Sequence, residues 1–172
     1  MHSFALWPTL AVLAVATVTD IRSRKIPNWL VFPFLLAGLV VPVWLHGWQG
    51  LTQSLEGLGL AVLIYGILFW LGGMGMGDVK LMAAIGAWIG PSQLVTAMVL
   101  IAITGGVMAV GWAIAGGFVG ELLDGTGSLL AGFKGRGLTP NPEFVLANPK
   151  RRKLPYAPAI AIGTLISFFS VS

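Results

Sequence analysis

Six apolar runs, separated by shorter polar or glycine-rich stretches, dominate the pattern along this chain. A helix that crosses a membrane needs about 20 predominantly apolar residues, and most of the runs approach that length. The fourth is short, so it either extends backward through the preceding glycines or begins below the membrane surface. The runs are Phe4–Thr19, Trp29–Leu45, Leu51–Leu71, Val79–Ile89, Leu94–Phe118 and Tyr156–Val171. They predict an all-α integral membrane protein with six transmembrane helices.

The composition agrees with a membrane protein and narrows the available chemistry. Of the 172 residues, 56% are hydrophobic and 9% are charged, whereas a soluble domain carries about 25% charged residues. The chain has no cysteine, which excludes disulfides, thiolate zinc sites and cysteine nucleophiles. Only two histidines, His2 and His46, are present, which argues against a Ser-His triad or a histidine-based metal site. Carboxylates, lysines and hydroxyls remain, and we expect no metal or organic cofactor.

The positions of the ten basic residues predict the orientation of the helices. These residues are Arg22, Arg24, Lys25, Lys80, Lys134, Arg136, Lys150, Arg151, Arg152 and Lys153. With six helices, all of them lie on one side of the membrane, and the opposite loops, His46–Gly50 and Gly90–Gln93, contain none. Because basic residues stay in the cytoplasm, both termini are predicted to be extracytoplasmic. No Lys or Arg precedes residue 22, so the first run lacks the basic start of a signal peptide and is predicted to be retained.

One long polar connection, at about 120–153, is rich in Gly, Pro and Asn and ends in the basic sequence KRRK. We predict a cytoplasmic loop there, within a single membrane-embedded domain that spans residues 1–172. The basic cluster is typical of a segment that binds anionic lipid headgroups. A nucleic-acid site is not indicated, because aromatic residues do not alternate with the basic ones.

Two of the six acidic residues lie where predicted helices meet the cytoplasm. Asp20 closes the first helix and Asp78 opens the fourth. Two carboxylates held at the same membrane depth can share one proton, because like-charge repulsion separates their pKa values. The ionised acid then draws a proton from water while the protonated one polarises a peptide carbonyl. This pair predicts aspartic-protease chemistry, with Asp20 and Asp78 as catalytic residues.

Structural roles for the same residues stay open at this point. Asp20 is also placed to cap a helix or to pair with Arg22 or Arg24, and Asp78 is placed to cap the N-terminus of the fourth helix. Lys80 fits a basic residue at the cytoplasmic interface, and at two positions from Asp78 it does not share that residue's helix face. We nevertheless include Lys80 among the candidate substrate-binding residues.

Glycines beside Asp78 favour the catalytic interpretation. Gly75 and Gly77 leave bare backbone next to the carboxylate, and glycine lets another chain approach closely. A protease holds its substrate extended, so this space is predicted to bind the substrate backbone. Irregular backbone at membrane depth is tolerated only where it is buried in protein or lines a wet cavity. Such a cavity is also where a hydrolytic water would lie.

Three stretches resemble the type IV prepilin peptidases, membrane aspartic proteases whose second catalytic acid lies in a G-x-G-D motif. DIRSRKIPN at 20–28 resembles the family's first motif, GMGDVKLMAAIGAWIG at 75–90 its second, and PYAPAIAIG at 155–163 its closing helix. The resemblance spans nearly the whole chain. It implies that Asp20 and Asp78 remove a basic leader peptide from prepilin-like proteins at the cytoplasmic face of the bacterial inner membrane.

The chain also differs from larger members of that family, which carry paired cysteines in an N-terminal segment and N-methylate the new pilin terminus. This chain has no cysteine, so methylation is not implied, and its size resembles the short members that serve Flp-type pili. Direct binding of a basic leader needs further acids, for which Glu121 and Asp124 are the candidates; anionic lipid is the alternative partner. The rival function is a small proton-coupled transporter, because glycine-broken helices with charges also mark transport sites.

Overall fold

The computed structural model describes residues 3–71, 74–117 and 155–170, and the regular structure in these ranges is entirely helical. These ranges contain four helices. They are α1 (Ser3–Ser23), α2 (Asn28–Trp70), α3 (Met76–Ala115) and α4 (Ala157–Ser170). The predicted all-α class is therefore confirmed. The predicted loop at about 120–153 lies outside the described residues.

Two glycines interrupt the two longest helices. Gly47 in α2 has φ 57° and ψ −136°, and Gly90 in α3 has φ 72° and ψ 175°. Positive φ values are costly for residues with a Cβ, so glycine lets the chain reverse direction here within one residue. The reversal in α2 is tight, because a Cβ at Gly50 would overlap the carbonyl oxygen of Pro42. The breaks divide four helices into six helical segments, which correspond to the six apolar runs.

The first segment of α3 forms the centre of the bundle. Every residue from Leu81 to Ile89 is buried, and a helix that is apolar all round is one that other helices surround. The Trp88 indole donates a hydrogen bond to the Phe34 carbonyl oxygen over 2.8 Å, and the two rings stack with centroids 5.3 Å apart. Gly57 and Gly86 bring α2 and α3 into backbone contact, since a Cβ at Gly57 would overlap the Gly86 carbonyl oxygen.

The last helix, α4, packs on α3 and α1. Its buried face includes Ala157, Ile160 and Thr164. The Thr104 hydroxyl, on the second segment of α3, donates to the Ala159 carbonyl oxygen over 3.2 Å. This packing holds the start of α4 beside the end of α1.

The outer surface of the bundle is apolar. Three helical stretches, Phe4–Ser23, Asn28–Trp70 and Met76–Ala115, are long and apolar enough to cross a membrane, and α4 is a shorter apolar helix. Large side chains such as Leu36, Val40 and Val107 are each more than 60% exposed. Soluble proteins rarely expose apolar surface of this extent. The structure is therefore that of a helical membrane protein.

Candidate active site

Asp20 lies in the last turn of α1, which continues past it to Ser23. The residue is buried, with 7% of its surface exposed. Its carboxylate Oδ2 accepts a hydrogen bond from the Ala157 N–H over 3.0 Å, although the two residues are 137 positions apart. The carboxylate therefore faces the N-terminus of α4. Arg22 and Arg24, its alternative partners in the sequence, have exposed side chains.

Asp78 lies in the first turn of α3. It is not the N-cap of this helix, which is the structural role that the sequence also allows. The N-cap is Gly75, whose extended backbone (φ −80°, ψ 147°) begins the helix earlier. The Asp78 N–H donates to the Gly75 carbonyl oxygen over 3.1 Å. Its carboxylate Oδ2 lies 3.1 Å from the position that a Cβ at Gly75 would take. The alternative role of Asp78 as the N-cap of this helix is therefore not the one that the structure shows.

Asp20 and Asp78 line the same open cleft, which has a volume of about 660 Å³. One wall comes from the end of α1 and its connection to α2, and the other comes from the start of α3. The cleft also includes three of the predicted substrate-binding residues, Gly75, Gly77 and Lys80. The structure thus brings together the two stretches that carry the aspartates.

Gly77 packs against the connection between α1 and α2. A Cβ at Gly77 would lie 3.3 Å from the Cβ of Ile26, which is closer than ordinary van der Waals contact. The missing side chain therefore lets the start of α3 approach the stretch that carries Asp20. The sequence assigns this space to the substrate backbone. In the structure Ile26 occupies part of that space.

Lys80 links the two walls of the cleft. Its Nζ donates to Oδ1 of Asn28, the first residue of α2, over 3.4 Å, and it lies 5.7 Å from the centre of the Phe32 ring. Asn28 is the last residue of the first motif, DIRSRKIPN, and Lys80 belongs to the second, GMGDVKLMAAIGAWIG. The sequence alone does not predict a contact between these two residues. Lys80 therefore has a structural contact in addition to its position at the cleft.

Arg24 leaves α1 in a left-handed backbone conformation, with φ 50°, which no other non-glycine residue shares in the described part of the chain. Such residues cost about 1–3 kcal/mol and cluster at functional sites. Arg24, Lys25 and Lys80 line the same cleft as the two aspartates. The sequence identifies Arg24 and Lys25 as topology signals and Arg24 also as a possible ion-pair partner of Asp20, but the local pattern does not reveal the backbone conformation.

The start of α4 adds groups that the sequence reasoning does not assign to the site. Ala157 donates its N–H to Asp20, and Tyr156 directly precedes it. The stretch PYAPAIAIG contains both residues and is the sequence feature that could have indicated them. The resemblance to the family, however, identifies this stretch only as the closing helix.

Glu121 and Asp124 lie outside the described residues. Within the ranges that the structure describes, no three His, Asp or Glu side chains form a cluster that could hold a metal ion. The described site therefore consists of two carboxylates, their cationic surroundings and the start of α4.

Fold and cleft together define a helical membrane protein with a paired-aspartate site. The model of the type IV leader peptidase family matches residues 7–110, a stretch that contains Asp20, Asp78 and both glycine breaks. Because this match covers more than half of the sequence, the chain belongs to the type IV leader peptidase family.

Several relatives carry the name prepilin leader peptidase/N-methyltransferase. The chain is 33% identical to the one from Aeromonas hydrophila over 118 residues, which cover 61% of the chain and 40% of that protein. It is 28% identical to the one from Bacillus subtilis (strain 168) over 172 residues, with coverages of 96% and 56%. It is 35% identical to the one from Escherichia coli (strain K12) over 120 residues, which cover 64% of the chain and 50% of that protein. The chain thus spans about half the length of these relatives. No solved structure matches it.

Proposed function

We propose that the chain is a membrane aspartic endopeptidase that removes the basic leader from type IV prepilin-like proteins. The observation that carries this proposal is the single cleft that holds both Asp20 and Asp78. Two carboxylates that share a proton are the catalytic groups of aspartic proteases, and the names of the relatives include prepilin leader peptidase. The proposal does not extend to N-methylation, because the chain lacks cysteine and spans only part of the relatives whose names include that activity.

We further propose six membrane crossings in the bacterial inner membrane, with both termini outside and the cleft at the cytoplasmic face. The breaks at Gly47 and Gly90 lie at the end of the bundle opposite the cleft. All charged residues in the described ranges except Glu56 lie at the cleft end. Since basic residues are retained in the cytoplasm, this distribution supports the orientation.

Exposed tryptophans support the same arrangement. Six of them are between 48 and 91% exposed and lie near helix ends. They are Trp29, Trp70 and Trp112 at the cleft end, and Trp7, Trp44 and Trp48 at the opposite end. Tryptophan is enriched at both membrane–water interfaces, so two such groups at opposite ends fit a bundle whose segments each cross the bilayer.

The first chemical step uses the two aspartates in different protonation states. We assign the base to Asp20, because its carboxylate accepts an N–H bond from the start of α4, where the helix dipole favours negative charge. Asp78 then carries the shared proton. Asp20 takes a proton from water, the water oxygen bonds to the scissile carbonyl carbon, and Asp78 gives its proton to the carbonyl oxygen. The result is a tetrahedral gem-diol, with Asp20 protonated and Asp78 ionised.

The second step reverses these roles. Asp20 gives its proton to the amide nitrogen, Asp78 takes a proton from the gem-diol, and the C–N bond breaks. The products are the carboxyl terminus of the leader and the new amino terminus of the pilin. Asp20 is again ionised and Asp78 again protonated, so the pair is ready for another cycle.

Incubation of the purified chain with a prepilin in lipid vesicles tests the proposed function. We expect mass spectrometry to detect a pilin that begins directly after its leader. Prepilin that stays intact beside correctly folded protein would refute the proposal. A proton-coupled transporter is supported less well, because both aspartates lie at helix ends on one side, whereas transport sites lie near the midplane.

Replacing Gly77 with Val is expected to reduce processing by about 10- to 100-fold, with smaller effects on membrane insertion. The γ-carbons of Val would collide with Ile26, whose Cβ already lies 3.3 Å from a Cβ at this position, and would push the two aspartates apart. Gly77→Ala is the matched control, since it adds only the Cβ and should reduce processing less. Wild-type processing by Gly77→Val would show that the glycine has no role in the site.

Reversal of Glu121 and Asp124 to Lys tests whether these acids bind the basic leader. They are three positions apart, so on a helix they would share a face. Direct binding predicts a rise in KM that shrinks as salt screens the charges, with little change in kcat, because the contact is equal in ground and transition states. Glu143→Lys is the control for added positive charge. An unaltered KM at low salt would leave anionic lipid as the partner of the leader.

A further inference from the structure

The end of the bundle opposite the cleft contains a second cavity, with a volume of about 250 Å³. It lies between the chain reversals at Gly47 and Gly90 and shares no lining residue with the catalytic cleft. Its lining includes the side chains of Phe4, His46, Gln53, Ser54, Glu56 and Trp88. The proposed peptidase chemistry makes no use of this cavity.

Three aromatic rings form one side of the cavity. The Phe4 ring centre lies 5.9 Å from that of His46 and 6.3 Å from that of Trp88. Trp88 is held in place by its hydrogen bond to the Phe34 carbonyl oxygen and by stacking on the Phe34 ring. The aromatic wall is therefore formed before a ligand binds, which reduces the entropic cost of binding.

The charge of the cavity favours a cation. Of the described residues that line it, Glu56 is the only charged one, and it is exposed. A carboxylate with no basic residue in this described lining gives the cavity a negative potential, which attracts cations. A metal ion fits poorly, because the described lining offers one carboxylate, Glu56, and one imidazole, His46, and the described ranges contain no cluster of three such ligands.

Residues that can accept hydrogen bonds also line this space. One is His46, whose Nδ1 atom is buried and has no hydrogen-bond partner among the described residues; with the proton on Nε2, Nδ1 is an acceptor. Ser54, which is 2% exposed, and Gln53 line the same cavity. An ammonium group has three N–H donors and no acceptor. A site that binds it therefore needs hydrogen-bond acceptors, and here a carboxylate and the neutral acceptors beside it can provide them.

We infer that this cavity binds a primary ammonium group, with Glu56 as its counter-ion and the rings of Phe4 and Trp88 as its aromatic walls. The exposed side chains of Trp44 and Trp48 flank the same end of the bundle, at the depth where lipid headgroups lie. The ammonium therefore belongs either to the ethanolamine headgroup of a phospholipid or to a free amine. This inference does not depend on the proposed peptidase function.

Calorimetric titration of the delipidated full chain in detergent tests the site with ethanolamine as the probe. We expect saturable binding that weakens at least about tenfold in Glu56→Gln, which removes the charge but keeps the side-chain shape. Thr52→Ala is the matched control, because Thr52 is exposed on the same helix and bonds the Gln49 carbonyl oxygen without lining the cavity. It should bind as the wild type does.

Native mass spectrometry separates the two sources of the ammonium group. The protein is incubated with phosphatidylethanolamine or with phosphatidylglycerol, which lacks the amine. Selective retention of phosphatidylethanolamine, lost in Glu56→Gln, identifies a lipid site, whereas binding of ethanolamine without lipid selectivity identifies a site for free amines. The inference is overturned if neither probe binds, or if Glu56→Gln binds the probes as tightly as the wild type.

Discussion

Asp20→Asn and Asp78→Asn are each expected to lower kcat/KM for leader removal by at least about 10³-fold. Both proposed roles are proton transfers, and an amide keeps the side-chain shape but neither accepts nor hands on the proton. General acid–base catalysis contributes about 10²–10⁴-fold, and residues that act as one unit have non-additive effects. The double variant should therefore be no slower than the more damaged single variant. Initial rates with a synthetic prepilin in vesicles provide the measurement.

A loss of activity is informative only if these variants fold. In Asp20→Asn, the amide oxygen can still accept the Ala157 N–H, so the contact between α1 and α4 can persist. Thermal unfolding in detergent should show a midpoint close to that of the wild type. Glu143→Gln is the matched control, because it neutralises a carboxylate to which no role is assigned. Near wild-type cleavage by either aspartate variant would disprove the paired-aspartate mechanism.

Removal of the Ala157 N–H is expected to lower kcat by about 10- to 100-fold with little change in KM. Hydrogen bonds to charged groups contribute about 1.5–3 kcal/mol, and this one fixes the carboxylate proposed to activate water. Ala157→Pro removes the donor, and proline is well tolerated at the first position of a helix, which Ala157 occupies in α4. The measurement is steady-state cleavage of prepilin, with kcat and KM determined separately.

The matched control at this position is Ala157→Ser, which keeps the N–H and should retain kcat. Ala157 is fully buried, so the proline ring could also disturb packing. An ester in place of the 156–157 amide, made by translation with the α-hydroxy analogue of alanine, removes the donor with almost no change in shape. If the ester protein cleaves prepilin at the wild-type kcat, the contact between Ala157 and Asp20 has no role in catalysis, although the peptidase function itself would stand.

The class of fold and the two principal candidates for catalysis follow from the amino-acid pattern alone. Hydrocarbon leaves backbone groups no partner outside a helix or closed barrel, so long apolar runs with few charges predict a helical membrane protein. Asp20 and Asp78 are visible for the same reason, because a carboxylate in an apolar chain is costly unless it has a function or a partner.

Helix ends were predicted less well, because they depend on contacts that the apolar pattern does not contain. The helix α1 continues to Ser23, and α3 begins after Gly75, so Asp78 is not the N-cap. The sequence suggested loops around residues 47 and 90. The chain instead reverses at a single glycine in each place. Glycine adopts positive φ without steric cost, so one residue makes a change of direction for which the sequence predicts a loop of several residues.

Only the tertiary structure decided which groups surround the aspartates. The Lys80–Asn28 contact and the approach of Gly77 to Ile26 join stretches that are far apart in the chain. The Ala157–Asp20 bond is the extreme case, since its donor is a backbone N–H. Every residue except proline carries that same group, so no side-chain pattern can distinguish it. The packing of α4 against α1 and α3 selects Ala157, and that packing is a property of the assembled bundle.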